Sequence, residues 1–263
     1  MKLIIIKKMS VFRFFISLFC ISISILNFFV FNLFSIRSNT LSTSAIDENT
    51  FQNRIASLIN QKEKIAYLTF DDGPTLKSTP KILDILSEEN VKATFFVIGK
   101  HIKEHPELVK RAYDEGHYIA NHSYSHNNDK LYTNSDSFIN EILSTDVEIG
   151  KAIGIENYSS HVFRFPNGYM APRYKAKKQE YAKRLPDIDY TYIDWNALNK
   201  DSEKKYNNSE LLNNLKDSSK NKGTLVILMH DTSDVNETHL VLKDSIHYLK
   251  EQGYIFQNFY DLQ

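Results

Sequence analysis

The chain has 263 residues, enough for one domain of ordinary size plus accessory segments. Lys plus Arg and Asp plus Glu both number 32, for a formal net charge of +0. No global field therefore draws the chain to nucleic acid or to anionic lipid. Cys20 is the only cysteine, which excludes an intramolecular disulfide.

In chain order, Lys2, Lys7, Lys8 and Arg13 precede an uncharged apolar run from Phe14 to Ile36, 23 residues rich in Phe, Ile, Leu and Val. As a helix this run spans roughly 35 Å, against a hydrocarbon core of about 30 Å. The flanking charges place its N-terminus in the cytoplasm and the remainder outside. A cleaved signal peptide is the competing reading, but its apolar region is usually about 7–15 residues. The nearest small-residue cleavage candidate, Thr43-Ser-Ala45, lies past Arg37, and Cys20 behind Phe19 is a poor lipidation site. Residues 1–37 are therefore expected to be a single-pass anchor. Residues 38–63, rich in Ser, Thr, Asn and Gln, are expected to be an extracellular stalk with a short helix at Phe51–Asn60 packed against the domain.

Residues 64–263 alternate between apolar strands and helices. Strands are predicted over Lys64–Phe70, Ala93–Ile98, Tyr118–Ala120, Val162–Phe165, Tyr190–Ile193, Thr224–Met229 and Tyr254–Phe259. Helices are predicted over Thr79–Glu88, with Thr79 as cap and Pro80 at the first position, and from Pro106 to a stop at Gly116. Further helices are predicted over Ser135–Ile153, Lys175–Leu185, Ser209–Lys220 and Val235–Gln252. About seven near-continuous apolar strands alternating with helices imply an α/β fold with a parallel sheet covered by helices. Candidate site residues that all follow strands favour a barrel-like closure, but the pattern alone does not distinguish a closed barrel from an open sheet.

Three segments carry chemistry: Thr69-Phe-Asp-Asp-Gly-Pro74, Asn121-His-Ser-Tyr-Ser-His126 and Leu228-Met-His-Asp231. Each follows a strand, where α/β folds collect their working residues. One aspartate and two histidines form a ligand set for a divalent metal with a position left for water. A second aspartate beside them can take a proton from that water. Asp71-Asp72-Gly73-Pro74 alone reads by default as a turn. Adjacent carboxylates repel, however, and a cation relieves that repulsion. Arg164 ends a strand too apolar to leave a charge unpaired, so a carboxylate partner is expected. The residues thus read as a metal-dependent hydrolase.

The chain resembles the polysaccharide deacetylases of the NodB-homology class, carbohydrate esterase family 4. Five ordered segments carry the resemblance: Thr69–Pro74, His122-Ser-Tyr-Ser-His126, Arg164-Phe-Pro-Asn-Gly168, Asp194-Trp195, and Leu228 to His230. They cover the chain from about Ile65 to its C-terminus. The resemblance implies a distorted (β/α) barrel of seven strands. It makes Asp72, His122 and His126 the metal ligands and Asp71 the general base, paired with Arg164. Beside Pro166, the backbone N–H of Asn167 would serve the oxyanion. Asp194 would pair with the acid His230, and Trp195 with Leu228 would surround the acetyl methyl. Asp201 is assigned no role, and His101, His105, His117, His161, His239 and His247 match no motif. The metal expected is zinc by ligand type, with cobalt, manganese and nickel also suited.

The expected reaction is deacetylation of N-acetylglucosamine in a cell-envelope polysaccharide, with peptidoglycan the nearest such polymer for a tethered extracellular enzyme. Alternative substrates are N-acetylmuramic acid, an exopolysaccharide and acetylxylan. The expected partners are this glycan and, through the N-terminal helix, the membrane; a monomer is expected. A reading of another class is an inactive, membrane-tethered glycan-binding protein. Such a protein would be expected to lack a ligand or the base, whereas Asp71, Asp72, His122, His126 and His230 are all present.

Overall fold

The computed structural model describes residues 50–232 and 234–263. The apolar run expected to anchor the chain, and the stalk up to residue 49, lie outside the described residues. Among the described residues no helix is long and apolar enough to cross a membrane.

The strands are β1 (Ile65–Asp71), β2 (Thr94–Val97), β3 (Tyr118–Asn121), β4 (Val162–Phe163), β5 (Thr191–Tyr192), β6 (Ala197–Leu198), β7 (Leu225–His230) and β8 (Ile255–Phe256). The α-helices are α1 (Phe51–Ser57), α2 (Thr79–Glu88), α3 (Gly99–Glu104), α4 (Pro106–Asp114), α5 (Asn128–Leu131), α6 (Ser135–Ile153), α7 (Lys175–Tyr181), α8 (Asn208–Ser219) and α9 (His239–Glu251). All seven expected strands are present, several of them shorter. β6 and the short helices α3 and α5 are additions that two to six residues of pattern did not reveal. The helix expected through Leu185 leaves α geometry after Tyr181 and continues as a 3₁₀ segment holding Pro186, which has no N–H for an interior turn. Thr79 does not cap α2 either. Ser78 holds the cap position, while the Thr79 hydroxyl donates to Asp231 Oδ2 at 2.6 Å and accepts from Thr75 N at 2.7 Å.

Every ladder is parallel, and the hydrogen-bonded path runs β5-β4-β3-β2-β1-β7-β6. The two ends of that path belong to one segment: β5 joins β4, and only Ile193 to Asn196 separate it from β6, which joins β7. The sheet must therefore curl back on itself. β8 pairs with the start of β1, at Ile65 and Ala66, while β2 pairs with the end of β1 from Thr69 to Asp71.

Alternation along the strands sorts the side chains into two layers. Ala66, Leu68 and Phe70 of β1 pack with Leu225, Ile227 and Met229 of β7 beneath α2 and α9. The intervening residues point the other way, where Tyr67, Val226, Phe96, Tyr118, Ala120, Ile193 and Phe259 fill an inner core. Both faces of these strands are buried, which is why they read as continuous apolar runs. Thr69 and Asp71 share the inner face of β1, in register with Leu228 and His230 of β7. The polar residues thus cap an apolar floor at the C-terminal ends of the strands.

α1 closes that floor from the opposite end. Ile55 and Leu58 are fully buried in the inner core with Phe259 and Leu262. The helix expected at Phe51–Asn60 is therefore present, as an α-helical and then a 3₁₀ turn, and packed on the inner core. Leu58→Ala is expected to cost about 2–5 kcal/mol in chemical denaturation, as core truncations do. A loss below about 0.5 kcal/mol, typical of surface substitutions, would show that the segment is only a tether.

Candidate active site

β1 ends between the two aspartates, and this separates their roles. Asp71 keeps the strand's inward direction. Asp72 turns to a φ of 75°, a left-handed conformation that aspartate tolerates better than most residues. The backbone oxygen of Asp72 accepts a hydrogen bond from His101 Nδ1 at 2.9 Å, a second hold on this turn. The carboxylates therefore take different main partners, although Asp71 Oδ2 still lies 3.8 Å from His122 Nε2.

Asp72 Oδ1 lies 3.5 Å from His122 Nε2 and 3.3 Å from His126 Nε2. One atom from each of the three residues lies within 4.8 Å of the others. His122 Nδ1 donates to the Arg164 carbonyl at 2.8 Å, so the Nε2 lone pair is left for a ligand. Burial, then the nearby charge of His126, pushes the His122 pKa down to about 3, which keeps the ring neutral as ligation requires. Asp72 Oδ1 is itself buried and has no hydrogen-bond partner. An orphaned carboxylate oxygen between two imidazole nitrogens is costly unless a cation completes it. The donor set fits a divalent metal.

Asp71 is 3% exposed, and its Oδ1 accepts from Arg164 Nη1 at 2.8 Å. The expected pairing is therefore present. Arg164 is fully buried and also donates to Thr69 Oγ1 at 2.6 Å, Ile193 O at 3.1 Å and Asp194 O at 3.1 Å. Its guanidinium carbon stands 4.0 Å from the centre of the Phe96 ring. Burial pushes the Asp71 pKa up while the charge of Arg164, then that of His230, pulls it back; the net is above the ordinary carboxylate value. A carboxylate whose affinity for a proton is raised in this way is suited to accept one.

The pairing expected between Asp194 and His230 is not what the structure has. His230 Nδ1 lies 2.6 Å from Asp201 Oδ1, and the His230 backbone N–H donates to Asp201 Oδ2 at 2.8 Å. Thr238 Oγ1 also donates to Asp201 Oδ2, and Asn236 Nδ2 donates to the Asp201 carbonyl at 2.6 Å. Burial works to lower the His230 pKa and is outweighed by the hydrogen bond and charge of Asp201, helped by Asp71 and Asp72. The ring is left with a pKa raised to about 9. Asp194 instead accepts from the backbone N–H groups of Tyr169 at 2.8 Å and Met170 at 3.1 Å. It braces the turn that follows Pro166.

That turn holds Asn167 with a φ of 64° and Gly168 with a φ of 81°. Asn167 is exposed, and its N–H donates to no protein group among the described residues. A Cβ on Gly168 would stand 2.7 Å from Trp195 Cη2, so the tryptophan ring packs directly against the turn. Trp195 and Asp194 thus support one wall of the site. Leu228 is 6% exposed, on the inner face of β7 below His230.

Asp201 was the residue that motif reasoning passed over. It follows β6, as the other site residues follow their strands, and the two-residue β6 is the one strand the pattern did not reveal. His101 was missed because it acts on a backbone atom, which no side-chain motif records.

The polysaccharide deacetylase family profile matches residues 59–186. The chain is 33% identical over 203 residues to the peptidoglycan-N-acetylmuramic acid deacetylase PdaA of Bacillus subtilis, covering 77% of this chain and 73% of that protein. It is 34% identical over 234 residues to a peptidoglycan-N-acetylglucosamine deacetylase of Bacillus cereus, covering 86% and 81%. A solved CE4 esterase of Streptococcus mutans superimposes with a TM-score of 0.70 at 31% identity, over 79% of this chain and 90% of that one. The ordered motifs, the parallel sheet and the polar mouth agree with these likenesses: the chain belongs to the polysaccharide deacetylase family.

Proposed function

We propose that the chain hydrolyses the N-acetyl group of N-acetylglucosamine units in peptidoglycan, releasing acetate and leaving a free amine on the sugar. The observation that carries this reading is the orphaned Asp72 Oδ1 facing two imidazole nitrogens, with an Asp71–Arg164 pair and a His230–Asp201 pair beside it. The peptidoglycan substrates in the relatives' names support the choice of polymer.

Asp72, His122 and His126 would hold a divalent cation, zinc by ligand type, with cobalt, manganese or nickel also accommodated. When bound it supplies Lewis acidity and a water of lowered pKa. Asp71 takes the proton of the attacking water, and Arg164 keeps that carboxylate aligned. The Asn167 N–H, beside Pro166, donates to the oxygen on which negative charge develops. His230, kept charged by Asp201, gives a proton to the departing sugar nitrogen. Leu228 and Trp195 supply apolar surface for the acetyl methyl.

In this reading the sheet is a distorted (β/α) barrel of seven strands, with Thr191–Leu198 acting as one bent strand that joins β4 to β7. The Phe14–Ile36 run anchors a monomeric catalytic domain on the outer face of the membrane. Fractionation of full-length protein with membrane supports the anchor, and a soluble mature form beginning near Ile46 refutes it.

Acetate release from purified peptidoglycan, with mass-spectrometric mapping of the product, tests the reaction. Loss of the acetyl group from glucosamine units is the expected result. Loss from muramic acid units instead would favour the activity named for the Bacillus subtilis relative. A metal-loaded protein that binds the glycan but releases no acetate is not a deacetylase of it.

A further inference from the structure

We infer that Asn121 and Asp146 are positioning residues that preset His122 and His126 for the metal; this rests on the metal-centre reading above. Asn121 is the last residue of β3 and is fully buried. Its Nδ2 donates to Ile142 O at 2.9 Å and to Asp146 Oδ1 at 3.0 Å, both on α6. Its Oδ1 accepts from Ser123 N at 3.0 Å. Two of these partners can only accept and the third can only donate, so the amide has one orientation.

The Oδ1 bond to Ser123 and the backbone carbonyl of Asn121 each lead on to a ligand. Ser123 is held at a φ of 71°, and its hydroxyl accepts from His126 N at 3.1 Å. The amide thereby folds the chain back between the two histidines. The Asn121 carbonyl accepts from Arg164 N at 3.0 Å, and the Arg164 carbonyl in turn accepts from His122 Nδ1. One residue thus governs the backbone between His122 and His126 and the ring orientation of His122.

Asp146 fixes Asn121 from behind. It lies on α6 among the buried apolar Phe138, Ile142 and Ile149. Its carboxylate collects the Asn121 amide, the Tyr190 hydroxyl at 2.5 Å and, at 3.5 Å, the Ser160 hydroxyl. A buried polar network of this kind specifies one arrangement where an apolar contact would permit several. The arrangement specified here is the spacing of the two imidazoles.

Titration of the full-length chain with cobalt(II), followed by visible absorption and chelator competition, tests this without any glycan. Asn121→Ala is expected to weaken cobalt binding about 10–100-fold, the range seen when the outer partners of metal ligands are removed. Asn121→Asp sets two carboxylates against each other and should weaken it at least as much. Adding Asp146→Asn to that variant restores an amide–carboxylate pair with its polarity reversed, and should recover part of the affinity. Leu58→Ala, destabilised but outside the network, should bind as the parent does. Cobalt affinity in Asn121→Ala within twofold of the parent, or a loss matched by Leu58→Ala, would overturn the inference while leaving the metal centre intact. Cobalt affinity in Asp146→Ala within twofold of the parent would remove Asp146 from the role. A parent protein that binds no cobalt sinks the metal reading itself, and the inference with it.

Discussion

Asp201→Asn is expected to move the alkaline limb of the deacetylation rate to lower pH and to reduce the rate at neutral pH by about 10–100-fold, a substantial part of what a general acid contributes. The sign follows from the two forces on His230. Burial lowers its pKa and Asp201 raises it, for a net value of about 9. Without the Asp201 charge, burial is left in control, and the ring becomes neutral in the range where it must donate a proton. A cation at Asp72 repels the imidazolium too, so variant and parent must both be metal-loaded for the limbs to be compared. The same shift carries a stability consequence. A histidine whose pKa rises from about 6.5 unfolded to about 9 folded contributes on the order of 3 kcal/mol. That contribution is complete below about pH 6.5 and is lost as pH rises through about 9. Asp194→Asn should behave differently: it loosens the turn at Asn167 and lowers the rate without moving the limb. A shifted limb in Asp194→Asn and none in Asp201→Asn would reverse the assignment.

His126→Ala, His122→Ala and Asp72→Asn should each weaken metal binding by more than about a hundredfold, exceeding the range for outer partners because each removes a ligand atom. Asp71→Asn should leave the metal bound and lower the rate at every pH, since its Oδ1 pairs with Arg164 and its Oδ2 stands 3.8 Å from His122 Nε2, whereas Asp72 Oδ1 approaches both imidazoles more closely. Equilibrium cobalt binding and a pH–rate profile on the same preparations separate the two classes. Chelation should abolish activity, and added zinc, cobalt or manganese should restore some of it. If Asp71→Asn empties the site while Asp72→Asn keeps it full, the carboxylates have been assigned the wrong way round. Full turnover by protein shown to be metal-free would end the metal-dependent account.

Much of this was legible in the residues themselves. Strands buried on both faces must be apolar throughout, so Lys64–Phe70 and Thr224–Met229 declared a covered parallel sheet. An arginine at the end of such a strand had to find a carboxylate, and Arg164 found Asp71. Two histidines and two aspartates just past strand ends had to meet at one mouth, because parallel strands bring their C-terminal ends to one side. The residues alone did not say which acid accompanies His230. Asp194 and Asp201 both follow strands of the same bent segment, and nothing local distinguishes them. The register of β6 against β7, with Leu198 opposite Leu228, carries the chain on to Asp201 beside His230, while Asp194 turns to the backbone at Tyr169 and Met170. The curl of the sheet was likewise a tertiary outcome, since it depends on one segment, Thr191–Leu198, pairing at its start with β4 and at its end with β7. Local pattern determines which residues are buried and which strands exist; long-range pairing decides which charges become neighbours.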